Sequence, residues 1–337
     1  MRDSANLDLL RSFAVLCVFV CHLPFAIGRW EGIGVAGVIL FFVHTSYVLL
    51  LSLQRNGDSW AGFQLRRAFR IYPLAILALL SYWLLRIPYA STGREYFFPS
   101  VSLRDLIANF FLVQNLTGNQ SIPRVLWSLP YELQMYLVLP IVFWLAMKYG
   151  RRGAVALYCA AVACIGPALI LLPASPIKSV IQLLEFVPCF LAGALLFTAR
   201  RRPRLHWLGI PIVLALFACV STFRIFQNDI TQWIACLGIA SVLPIFAEVA
   251  SPTLRAIFKN IAKYSYGVYL SHYAAIQISL RITHNTAAHL ALSILLTAFF
   301  SVAAFHALEQ PFINYGKSLA ARLGTSAKPK AFATSSA

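Results

Sequence analysis

The stretch LDLLRSFAVLCVFVCHL, residues 7 to 23, sets Asp8, Arg11 and His22 into a run that otherwise avoids water. A helix turns by about 100° and rises about 1.5 Å per residue, so Arg11 and His22 share one face and lie ~16 Å apart. An imidazole there can take the proton of an attacking hydroxyl, and a guanidinium can hold an anion. Asp8, one turn before Arg11, can pair with it. The plainer alternative is an interfacial Asp8–Arg11 pair with His22 as a hydrogen-bonded packing residue. Ionisable groups inside a bilayer are costly, which makes them functional candidates.

Further constellations carry comparable chemistry. In FQLRRAFRIYPLAILALL, residues 63 to 80, Arg66, Arg67 and Arg70 crowd one helix start. Clustered guanidinium groups beside a positive helix terminus suit phosphate; anchoring at a membrane face also accounts for any one of them. In LWSLPYELQMYLVLP, residues 126 to 140, Glu132 sits early in a helix. It could pair with a histidine, hold an acceptor hydroxyl or satisfy a buried arginine. KYSYGVYLSHYAAI, residues 263 to 276, carries His272 in mid-helix. HALEQPFINYGKSL, residues 306 to 319, sets His306 and Glu309 one turn apart, before a proline expected to end that helix.

The elements that must hold these groups are membrane helices. Of the 337 residues, 60% are hydrophobic and 12% charged, and the mean hydropathy is +0.74. Ten apolar runs approach the length of a spanning helix, at about 8–28, 33–53, 71–88, 128–147, 154–173, 179–198, 206–223, 231–250, 264–283 and 288–308. Their continuity excludes the alternating strands of a β-barrel. The expected fold is an all-α bundle of about ten transmembrane helices. With the N-terminus inside, twenty Lys and Arg residues gather at cytoplasmic helix ends and eight on the other face, so both termini are expected in the cytoplasm. The net charge of +17 then reads as topology and contact with anionic membrane lipid, with no nucleic acid as partner.

The seven cysteines all lie in apolar runs and read as packing residues rather than a disulfide framework. The seven histidines show no zinc-ligand spacing, and no metal is expected. The first segment lacks a small-residue cleavage pattern, so no cleaved leader is expected. Within an outer loop from about 89 to 127, SLRDLIANFFLV has a Ser cap and apolar spacing that predict a short surface helix. Residues 1–317 read as one transmembrane domain and 318–337 as a basic, disordered cytoplasmic tail.

In this order and spacing the motifs resemble those of the membrane-bound acyltransferase family 3. LDLLRSFAVLCVFVCH is similar to that family's Arg-x10-His first helix, LRRAFRIYP to its arginine motif, and WSLPYELQMY to its Ser-Leu-x-x-Glu helix. YSYGVYLSH resembles its late Tyr-Leu-x-His helix, and LEQPF its closing Glu-x-Pro. The chain departs where the family continues FFV with a Ser-Gly pair; here FFVHTSYVLL brings in His44, placed to alter an acceptor pocket. Pro130 within SLPYEL is also unusual and is expected to set the start of its helix.

The resemblance implies an acyl group, acetyl in the plainest case, moved from cytoplasmic acyl-CoA to a hydroxyl of a polysaccharide, glycolipid or small-molecule acceptor in a bacterial inner membrane. Arg66, Arg67 and Arg70 would meet the donor's phosphates, with Arg11 along its path. His22 would act as general base and Glu132 would orient His22 or the acceptor. Asp8, His44, His272 and Glu309 are substrate-binding or structural candidates. A separate glycan-assembly partner would complete the modification where the membrane domain alone does not. The alternative reading is a polytopic secondary transporter or lipid-carrier flippase, against which no inverted repeat is visible.

Overall fold

Local signals set the helix starts in the computed structural model, which describes residues 4–23, 30–56, 59–92, 95–172, 180–223 and 228–324. The helices are α1 (Ala5–Cys21), α2 (Glu31–Asn56), α3 (Trp60–Leu84), α4 (Leu103–Phe110), α5 (Gln114–Thr117), α6 (Leu129–Leu171), α7 (Val187–Thr198), α8 (Gly209–Ser221), α9 (Asp229–Val242), α10 (Pro252–Ile282), α11 (Thr286–Ala304) and α12 (Gln310–Gly324). Ser59, Ser251 and Asn285 accept backbone N–H bonds at the starts of α3, α10 and α11. The predicted surface helix is α4, closed by a reciprocal Ser102–Asp105 capping box. Pro130 occupies the first turn of α6, where its missing N–H costs nothing. A short antiparallel hairpin, β1 (Ala90–Thr92) with β2 (Glu95–Phe97), was not legible in the sequence.

Every apolar run carries a helix. Among the described residues, four helical stretches are long and apolar enough to cross a membrane by length and composition: Glu31–Asn56, Arg124–Leu171, Val180–Thr198 and Thr286–Arg322. Two of the expected runs are joined in α6, whose arms meet at Gly150 with φ of 59°. Two expectations at the C-terminal end need correction. Pro311 does not end its helix: the helical stretch Thr286–Arg322 runs on past it, through a π-helical turn at Phe305–Glu309 that leads straight into α12. The expected tail is helical as far as Gly324; residues 325–337 lie outside the described residues.

Lipid offers no hydrophobic drive for helix pairing, so close approach and interior polar bonds must hold the bundle. α1 packs between α2 and α10, α7 backs α2, and α12 lies along α3. Between α10 and α11 the contact is made by small, polar side chains: Ser279 Oγ lies 2.7 Å from both Ser293 Oγ and His289 Nδ1, and Ser271 faces Ser301 at 3.4 Å. Ile294, Leu295 and Phe299 on α11 point outward and are exposed.

Two glycines set the spacing around α2. A Cβ on Gly37 would stand 2.5 Å from the Ala14 carbonyl oxygen of α1, and one on Gly193 2.5 Å from that of Val43. Gly37→Leu gains about 0.8 kcal/mol of helix propensity. It must also push two backbones apart, and overpacking of this kind costs about 1–3 kcal/mol. We expect a net loss of stability, read as a lower unfolding midpoint in detergent; an unchanged midpoint would show that α1 and α2 do not need this approach.

Candidate active site

Arg11 of the first constellation, Arg67 and Arg70 of the second and Glu132 gather where α1, α2, α3, α6 and α10 meet. Arg11 Nε donates to Ser265 Oγ at 2.6 Å, which ties α1 to α10. α3 is fixed alongside by Gln64 Nε2 to the Tyr136 carbonyl at 2.6 Å and Tyr266 Oη to the Ile71 carbonyl at 2.8 Å. These bonds close a narrow cavity of about 80 Å³ lined by Arg11, Arg67, Arg70, His44 and Glu132. Three guanidinium groups there face one carboxylate, so the site carries an excess of positive charge. Glu132 is already engaged, accepting the Tyr136 hydroxyl. Arg67 Nε and His44 Nδ1 are buried with no hydrogen-bond partner among the described residues. An orphaned buried guanidinium donor, Arg67 Nε, beside surplus positive charge suits an anionic ligand with acceptor oxygens.

The second cavity, of about 630 Å³, contains His22 together with Glu31, Gln120, Arg124, Tyr89 and Trp127. His22 Nδ1 lies 2.8 Å from the Val18 carbonyl oxygen and 3.2 Å from His272 Nε2. His272 Nδ1 lies 3.0 Å from the Val268 carbonyl oxygen. These contacts assign the tautomers. A carbonyl only accepts, so His272 carries its proton on Nδ1 and its Nε2 is a lone pair. Two lone pairs cannot face each other, so His22 Nδ1 is protonated as well. The lone pair on His22 Nε2 is left free for a substrate proton.

Val38 and Tyr269 line both cavities, which therefore abut across these two side chains. Tyr269 is fixed in place, with its hydroxyl 2.7 Å from the Val125 carbonyl oxygen and 2.7 Å from Ser128 Oγ. A ligand reaching from the arginines to His22 must pass this partition.

The structure brings Arg11, Arg67, Arg70, His44 and Glu132 together and pairs His22 with His272. It does not bring Glu132 to His22: the carboxylate lines the arginine cavity, the arginine-satisfying alternative of the sequence reading. Arg66 does not line that cavity either. Asp8 lies in the first turn of α1. Glu309 is buried in the π-helical turn and lines neither cavity. Sequence reasoning missed Ser265, Tyr269, Glu31 and Arg124. For the first two the signal was present, since Ser265, Tyr269 and His272 recur at i, i+4 and i+7 on one face of α10.

A family model described as an acyltransferase domain matches residues 4–307. A Bacillus subtilis protein named "Putative peptidoglycan O-acetyltransferase YrhL" is 26% identical over 92% of this chain, which spans 55% of that protein's length. The "O-acetyl transferase" of Shigella phage Sf6 is 25% identical over 93% of this chain and 97% of its own length. The "Peptidoglycan O-acetyltransferase OatA" of Listeria monocytogenes is 29% identical over 44% of this chain and 25% of its own length. No solved structure matches the chain.

Proposed function

The chain belongs to this acyltransferase family, and from that premise we propose that it is an integral-membrane O-acyltransferase using acyl-CoA, most simply acetyl-CoA, as donor. The carrying observation is the pair of abutting cavities, one rich in arginine and one holding a histidine with a free ring nitrogen. The donor's phosphates meet Arg67 and Arg70, with Arg11 further along α1. Its thioester passes Val38 and Tyr269 towards His22. There His22 Nε2 takes the proton of an acceptor hydroxyl as its oxygen bonds to the carbonyl carbon. The carbon–sulfur bond then breaks, and the imidazolium returns the proton to the leaving thiolate.

The acceptor side supports a hydroxyl-rich molecule. Glu31, Gln120 and Arg124 offer hydrogen bonds, and Trp127 and Tyr89 offer rings against which a sugar can lie. The relatives named for peptidoglycan O-acetylation make a cell-envelope glycan or glycolipid the acceptor of choice. We read the ten apolar runs as ten crossings of a bacterial inner membrane, both termini cytoplasmic, with donor and acceptor entering from opposite sides. A separate partner delivers the acceptor where it is assembled elsewhere.

The test is coenzyme A release by purified protein supplied with acetyl-CoA, with and without envelope glycan fragments. Saturable release, stimulated by a fragment that becomes esterified, is expected. Movement of the fragment across proteoliposomes without covalent change would favour a transporter instead.

His272 enters as a positioning residue. His272→Phe keeps a ring and loses the acceptor that faces His22, so kcat is expected to fall about tenfold or more, the equivalent of one buried hydrogen bond. His272→Gln restores an acceptor oxygen and should recover part of the loss. Equal defects in the two variants would assign His272 to packing alone.

A further inference from the structure

A basic segment outside both cavities has geometry of its own. Residues 200–204 read RRRPR: Arg200, Arg201, Arg202, Pro203 and Arg204. The segment runs from the end of α7 and is hydrogen-bonded to the chain after α9. Arg202 N donates to the Pro244 carbonyl at 3.1 Å, Arg204 N to that of Ile245 at 2.8 Å, and Ala247 N to that of Leu205 at 2.9 Å. Arg201 turns one way, to Glu248 at 2.5 Å, while that carboxylate also accepts from Ser4 Oγ at 2.7 Å. Arg200, Arg202 and Arg204 turn the other way and line one cavity of about 660 Å³ with Arg151 of α6.

No acidic residue lines this cavity. None of its four arginines has an ion pair among the described residues. The remaining walls are largely apolar and come from α6, α7 and α9: Val155, Leu195, Leu237 and Ala240, of which Val155 is exposed on the outer surface of the bundle. Arginines gathered along one cavity offer charge-assisted hydrogen bonds to phosphate oxygens, and apolar walls beside the exposed Val155 suit acyl chains rather than a nucleotide.

We infer that the Arg200–Arg202–Arg204 row and Arg151 form a binding site for the phosphate headgroup of an anionic glycerophospholipid, whose acyl chains lie along α6 and α9. The site stands on the Glu248 anchor that also holds the chain before α1, at the same end of the bundle. It is separate from the arginines that line the donor cavity, and does not depend on the proposed transfer reaction.

The test uses the full-length protein in mixed micelles of phosphatidylglycerol and phosphatidylcholine, with retained lipid read by native mass spectrometry. Wild type is expected to retain phosphatidylglycerol preferentially. Replacing Arg200, Arg202 and Arg204 together by Gln should weaken retention by about a hundredfold, at about fivefold per arginine. A control removes the same charge elsewhere, with Arg55, Lys148 and Lys317 replaced by Gln, and should retain the preference. Equal loss in the two variants would reduce the site to general attraction by a basic face and overturn the inference. Inorganic pyrophosphate is the second probe: displacement of bound lipid by pyrophosphate at the lipid's own concentration would assign the row to soluble phosphates. Should the triple variant not fold, Arg202→Gln alone is read in the same way, with about fivefold weakening expected.

Discussion

His22→Ala abolishes measurable acyl transfer while donor binding survives: this is the expected result if His22 Nε2 is the base. A positioned general base contributes about 10²–10⁴ in rate, and no other imidazole is placed to substitute. The neighbouring His272 has its Nδ1 committed to the Val268 carbonyl and its Nε2 directed at His22. Removing His22 leaves that Nε2 without its donor, at a cost of about 1–3 kcal/mol, so the variant should still fold. The donor's phosphates sit beyond Val38 and Tyr269, in the other cavity. Isothermal titration with coenzyme A should therefore give the same affinity for variant and wild type. Full coenzyme A release by His22→Ala would remove His22 from the chemistry.

The second large effect is expected at the arginines. Replacing Arg67 and Arg70 together by Gln removes two of the three guanidinium groups that line the narrow cavity. Each charge-assisted hydrogen bond to a phosphate contributes about 1.5–3 kcal/mol, so the donor KM should rise at least a hundredfold. Stability should not fall in step. Arg67 Nε has no hydrogen-bond partner among the described residues, and a buried cation without full pairing is a cost to the folded state. Arg66→Gln is the internal control: it removes one charge from the same helix at a position outside the cavity lining. It should change KM by less than about threefold, as expected of a half-buried charge that lies outside the cavity. Equal effects at Arg66 and at the Arg67–Arg70 pair would return all three to a general role at the membrane face.

Much of the framework was legible in the sequence because its signals are local. Apolar runs mark the helices, Ser102 with Asp105 marks the surface helix, and the Arg11–His22 spacing follows from the helical repeat. The partners of those residues were not legible. His22 and His272 are 250 positions apart, and only the packing of α1 against α10 brings them to 3.2 Å. The choice among the alternatives for Glu132 was not legible for a related reason. Helix α6 follows a 3-10 turn at Arg124–Ser128, and its entry is held by the Ser128–Tyr269 contact. On α10, Tyr269 lies between Ser265, which meets Arg11, and His272, which meets His22. The carboxylate one turn further along therefore joins the arginines rather than the histidine. Pro311 misled because a proline reads as a stop, and nothing local in the sequence marks the π-helical turn just before it, through which the helix continues.

The most direct measurement follows an acetyl group labelled in its carbonyl carbon. Reconstituted protein is given labelled acetyl-CoA and envelope glycan fragments, and the products are treated with mild alkali. The expected result is label on the glycan in an alkali-labile ester, formed by wild type and absent with His22→Ala. Glycan that crosses the vesicle membrane unlabelled, with acetyl-CoA left intact, would contradict acyl transfer and make the paired cavities a transport path.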